Sequence, residues 1–102
     1  MKMIYITCNV SVKERVMDQL ELCGVRDFQI LDHAEVKNKL GAPRYDTDVW
    51  PGFNIVFMMQ ISEVEKVEAV LQQLRRFNKE MAFNETELLT VCSWPLEDYF
   101  FD

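Results

Sequence analysis

Histidine occurs once in these 102 residues, and glycine, proline and cysteine occur three times each. A lone histidine, with no nucleophile and base set together, gives no start for hydrolytic or group-transfer chemistry. No catalytic residue is assigned, and the chain reads as a non-enzyme. Cys8, Cys23 and Cys92 are odd in number, widely spaced and set in apolar surroundings, without a C-x-x-C pair. That pattern suggests neither a zinc knuckle nor a redox couple; buried thiols in a reducing cytoplasm fit it best. No apolar run approaches the ~18 residues of a membrane-spanning helix. MKMIYITCNV meets polar residues too early for a secretory leader, so the expected location is cytoplasmic.

Positive charge is also in short supply. Lys and Arg number 11 against 17 Asp and Glu, a formal net charge of -6. The average field would repel a phosphate backbone, so no nucleic-acid partner is expected, although a local Lys/Arg cluster can still hold a small anion.

What is present is 49% apolar residues, enough for one core, and residues 1–102 are read as a single domain. KMIYITC, Lys2 to Cys8, is β-branched and aromatic and predicts a strand. SVKERVMDQLELCG then predicts a helix with Ser11 as N-cap and Glu14 three residues on. Its buried stripe would be Val12, Val16, Leu20 and Cys23, beside Met17, with Gly24 as the stop. Asp27 to Val36 predicts a second strand and Asn54 to Ile61 a third. Ser62, with Glu65 three residues later, repeats the cap before a helix from Glu63 to about Lys79. There Val64, Val67, Leu71 and Leu74 form the stripe, with Val70 and Phe77 alongside. Glu85 to Trp94 predicts the last strand. Strand–helix–strand twice over implies an α+β, ferredoxin-like βαββαβ sandwich: a four-stranded antiparallel sheet with both helices on one face.

The strands are apolar on both faces, where a sheet with one wet side should alternate. Ile55, Phe57, Met59 and Ile61 oppose Val56 and Met58, and Ile4, Ile6 and Cys8 oppose Met3 and Tyr5. Leaving about six such side chains in water would cost on the order of 10 kcal/mol, comparable to a small domain's whole stability. A homo-oligomer would cover them. The alternative is a monomer shielded by its own aromatic tail, residues 94–102, which carries Trp94, Tyr99, Phe100 and Phe101.

Leu40 to Asn54, LGAPRYDTDVWPGFN, holds two of the prolines and two of the glycines. It lies in a long loop, about residues 37–53, between strands two and three. Loops of this length without their own structure are usually functional or disordered. Pro51-Gly52 suits a type II turn. Lys37, Lys39 and Arg44 bring cations, and Tyr45, Trp50 and Phe53 bring flat surfaces, a mixture suited to recognition. Asp46 and Asp48 read as turn chemistry. Lys13, Glu14 and Arg15 on the first helix, and Glu63, Glu65, Lys66 and Glu68 on the second, read as solvated faces.

This order of elements, with EVKNKLG (Glu35 to Gly41) opening the loop and Pro51-Gly52-Phe53-Asn54 closing it, resembles the P-II-like signalling proteins and the related CutA-like proteins. The resemblance implies a homotrimer that binds a small effector at its intersubunit clefts and presents a T-loop to a target protein, such as a transporter or enzyme. The loop residues Lys37, Lys39, Arg44, Tyr45 and Trp50 would then be the ligand-binding set. The chain departs from the family after the second helix, where a glycine-rich basic loop would hold ATP. Phe77 to Glu87 has no glycine, one cation (Lys79) and the repelling Glu80, Glu85 and Glu87, so the family's ATP binding is not expected and the cofactor is unknown. The CutA-like alternative implies metal handling, with His33 and Glu35 as ligands; an ordinary hydrogen-bonded histidine and methionines packed in the core are the competing readings.

Overall fold

Lys2–Asn9 forms the first strand, β1, and its last residue decides how the chain leaves the sheet. The Asn9 side chain accepts the Ser11 N–H at 3.0 Å, the reach of an Asx turn. It thereby caps a 3-10 turn over Val10–Val12 that feeds helix α1, Lys13–Leu22. The cap expected at Ser11 is therefore supplied two residues earlier. A computed structural model describes residues 1–101. In it the chain continues through β2 (Gln29–Ala34), β3 (Asn54–Ile61), α2 (Val64–Arg76) and β4 (Thr90–Pro95).

The four strands lie in the order β2-β3-β1-β4 and every pairing is antiparallel. This is the predicted ferredoxin-like sandwich, with apolar β1 and β3 at its centre. Ile6 lies between Phe57 and Val91, and Tyr5 between Met58 and Cys92. Because side chains alternate along a strand, these two rows belong to opposite faces. Ile4, Ile6, Ile55 and Phe57 share a core with Val16 and Leu20 of α1 and with Val67, Val70 and Leu74 of α2. Each such burial contributes about 1.5–3 kcal/mol.

Several boundaries differ from expectation, each for a local reason. β2 stops at Ala34 rather than Val36, because the ladder with β3 shifts between Leu31 and Ala34 and His33 takes φ 55°. α2 is capped at Glu63 without a side-chain bond, so Ser62 does not repeat the first helix's device. Val64 sits in the opening turn, 66% exposed, and drops out of the predicted stripe. After Arg76 the helix widens into a π turn, Phe77–Met81. Asn84 accepts the Thr86 N–H at 2.9 Å and draws Glu85–Glu87 into a 3-10 turn, so β4 starts five residues later than predicted, at Thr90 rather than Glu85.

The second face of the sheet carries Met3, Tyr5, Val56, Met58, Cys92 and Trp94. Leu31 stands there 52% exposed on the edge strand β2. The tail folds back beside this face: the Leu96 N–H donates to the Met1 carbonyl at 3.1 Å, and Tyr99 and Phe101 line a hollow with Gln29, Met58 and Gln60.

Candidate functional site

The long loop is closed at its root by a pair of backbone bonds. The Val36 N–H donates to the Arg44 carbonyl at 2.9 Å, and the Arg44 N–H to the Val36 carbonyl at 2.8 Å. Residues 37–43 project beyond this neck and turn at Gly41, φ 82°. A second turn follows at once. The amides of Tyr45 and Thr47 both donate to the Trp50 carbonyl at 3.1 Å, the Trp50 amide donates to Thr47 Oγ1 at 3.0 Å, and the Asp46 amide donates to the Gly52 carbonyl at 2.9 Å. Gly52 has φ 86° after Pro51, the glycine conformation of a type II turn. The segment is thus two stacked turns with a shared root.

Arg44 holds that root to the sheet. It is only 7% exposed, and its Nε donates to Asn54 Oδ1 at 2.8 Å. Asn54 Nδ2 in turn donates to Thr7 Oγ1 at 3.0 Å, forming a buried chain from loop to β3 to β1. No carboxylate pairs with Arg44 among the described residues. Burial consequently pulls its pKa below the usual arginine value. The same burial, partly offset by Arg44, pushes the Cys8 thiol up to about 12.

The predicted ligand-binding residues are only partly brought together. Arg44 and Trp50 line one hollow of about 360 Å³ with Asn9 and Thr86. Lys37 and Lys39 are exposed on the first turn, and Tyr45 is half-buried; none of the three lines the hollow. Of the alternative metal pair, His33 lies against the Phe53 ring, with its Nδ1 3.3 Å from Asp32 Oδ1. Glu35 is exposed. Among the described residues no three His, Cys, Asp or Glu side chains are grouped to hold a metal.

Three participants escaped the sequence reading. Asn9, Asn54 and Thr7 sit in strands otherwise read for their apolar residues. Their signal was polarity at strand ends, with Asn9 and Asn54 directly opposite each other. Arg15 is another correction, because it is no solvated helix residue. Its guanidinium lies 5.0 Å from the Phe77 ring centre and 5.3 Å from that of Phe83, pairs with Glu87 at 2.9 Å, and donates to the Met81 carbonyl. Residues 77–87 are therefore clamped onto α1 by a cation from within the chain. Asn78 adds a two-way bond to the Leu89 backbone, at 2.9 and 2.8 Å.

No protein-family model and no curated protein matches this sequence. Solved structures do match. CPII of Thiomonas intermedia K12, bound to ADP and bicarbonate, is 20% identical with a TM-score of 0.66, over 91% of this chain and 84% of that one. The same organism's CPII, described as a nitrogen regulatory PII-like protein and bound to ADP, AMP and bicarbonate, gives 19% and 0.67 over 91% and 84%. A protein of Thermus thermophilus described as PII-like and signalling gives 18% and 0.58 over 91% and 83%. At such identities the fold is what is shared: this chain has the fold of the PII-like proteins. No helix of the described residues is long and apolar enough to cross a membrane.

Proposed function

We propose that this protein is a PII-like regulator: a homotrimer that binds a small effector at its intersubunit clefts and offers residues 37–53 as a T-loop-like element to a target protein. The observation that carries the reading is the match across nine-tenths of the chain to CPII, whose solved forms hold ADP, AMP and bicarbonate. The second sheet face supports it independently. Tyr5, Met58, Leu31 and Trp94 present an apolar surface that the short tail only partly shields, and burying it against other copies removes a cost of several kcal/mol.

The effector on this reading is not a triphosphate. The segment after α2 lacks glycine and carries Glu80, Glu85 and Glu87, and the guanidinium groups of Arg15 and Arg76 are engaged with its own Glu87 and Glu80. Without glycine there, side chains keep three phosphates from closing on the backbone amides.

The test joins sedimentation with calorimetry of ADP, AMP, ATP and bicarbonate, using the wild type, Lys37→Ala and Arg44→Ala. A trimer mass with saturable binding of ADP, AMP or bicarbonate but not of ATP, weakened by either substitution, is expected. A well-folded monomer that binds none of the four would overturn the proposal. Metal handling finds no completed ligand set among the described residues and is not advanced.

A further inference from the structure

The C-terminal tail leaves β4 at Pro95, on one edge of the sheet. The hollow that receives it lies at the other edge. Its walls are Arg26 to Gln29, at the entry to β2, with Met58 and Gln60 of β3, and it encloses about 480 Å³. Tail and hollow share the end of the sheet remote from the long loop, where Lys2 pairs with Pro95 and Ile61, and Gln29 with Met58. To bring Tyr99 and Phe101 to the hollow, the tail crosses β1 and β3 on the second face, pinned by the Leu96 N–H on the Met1 carbonyl. Three strand spacings are about 14 Å, within reach of six residues.

The tail is poorly seated there. Past Leu96 it makes no hydrogen bond or ion pair among the described residues. Tyr99 is 48% exposed and Phe101 92%, although aromatic rings have the most to gain from burial. The tail also lies beside Met58, part of the apolar surface that copies bury in the proposed regulator. Its own tail and a second copy therefore compete for one face of each chain.

Exchange removes the conflict. A closed ring of head-to-tail copies sets opposite edges of neighbouring sheets together, so the end of one β4 stands beside the next copy's Arg26 to Gln29. We propose that the tail, residues 96–101, is swapped between copies, with Tyr99 and Phe101 of one chain seated in the hollow of its neighbour. The contacts are those the tail makes at home, which is what makes swapping low in cost, but between packed copies they are closed to water. The acids beside the rings disfavour a lipid surface, because Glu97 and Asp98 repel anionic headgroups. Arg26, without an ion pair among the described residues, gives them a partner on the rim of the hollow. Asp27 shares that rim, so the rings rather than the charges carry the contact. The exchange rests on the proposed packing of copies and adds to it a shared site that a single chain cannot complete.

The test replaces Tyr99 of the full chain with photoreactive benzoylphenylalanine and refolds light and isotope-heavy copies together before illumination. Exchange gives cross-links that join light to heavy chains and land on Arg26–Gln29 or Met58–Gln60. Cross-links confined to single chains in an assembled sample overturn it. Deleting residues 97–102 should weaken assembly in sedimentation by about tenfold or more, the loss of buried aromatic contacts. Phe83→Ala, at an exposed position after α2, should not. Assembly unchanged or tightened by the deletion also overturns the exchange, the second result marking the tail as a cover that only obstructs. The sedimenting mass keeps the two readings apart. A trimer without heavy-to-light cross-links removes the swap alone, a swapped assembly of another size removes the trimeric regulator alone, and single chains at every concentration remove both.

Discussion

The imidazole of His33 lies flat on the ring of Phe53, centroids 3.9 Å apart and planes 17° from parallel. This contact joins the end of β2 to the residue that leads into β3, across the base of the long loop. It accompanies an unfavourable backbone at His33, φ 55°, which costs an L-residue roughly 1–2 kcal/mol.

Strain and stacking at that position can be separated by substitution. His33→Gly removes the ring but relieves the backbone, and its stability should stay within about 1 kcal/mol of wild type. His33→Val removes the ring and places a β-branched residue at positive φ, so it should be less stable than His33→Gly by about 1–2 kcal/mol. Urea unfolding of the two variants checks the order.

Asn54 is the hinge of the buried chain from Arg44 to Thr7. Asn54→Leu keeps the approximate size and leaves both partners without their bonds. Equilibrium unfolding should show a loss of about 2–4 kcal/mol, and exchange at the Val36 and Arg44 amides should accelerate more than at β1. Equal acceleration throughout the sheet would mean that Asn54 supports the fold generally rather than the loop root.

Cys8 supplies a pH signature. Burial holds its thiol near 12, above the ordinary value of 9.0, so the folded state keeps a proton that the unfolded chain releases. Its contribution is fully present below pH 9 and declines as pH rises towards 12. Wild type should lose roughly 1 kcal/mol per pH unit in that window relative to Cys8→Ala, whose difference curve should be flat below pH 9. Thiol labelling supplies the companion result: Cys8, fully buried in the core, should react only on unfolding.

Met58 tests the proposed packing of copies on the second sheet face. It lies beside Tyr5 on the surface away from the helices, where a buried carboxylate would cost several kcal/mol. Met58→Glu should therefore give single chains in sedimentation. Val64→Glu, at an exposed helix position, should leave the assembly unchanged.

The sequence revealed the repeated strand–helix–strand plan because periodicity and burial speak the same language: Val16, Leu20, Val67 and Leu74 recur at helical spacing and all reach the core. It was less informative where two local devices compete. Asn9 and Ser11 are both acceptable caps, and only the path of the chain out of β1 favours the asparagine. Arg44 was recognisable as one of the loop's cations, with Lys37 and Lys39, but not as a buried one. Its burial depends on Asn54, ten residues away, and on Gly52, whose missing side chain leaves room for the Arg44 stem, 3.6 Å from where a β-carbon would sit. Arg15 was misread for a related reason. Its partners Glu87 and Phe83 are distant in sequence, and helix periodicity carries no record of them.

The Arg15 clamp also determines what the tip of the loop leans on. A β-carbon at Gly41 would lie 3.9 Å from the side chains of Glu85 and Thr86, and the adjoining Glu87 is fastened to α1. The tip therefore rests against an abutment belonging to the helical layer. Displacing the tip therefore presses on the helical layer, on the other side of the sheet from Tyr5 and Met58.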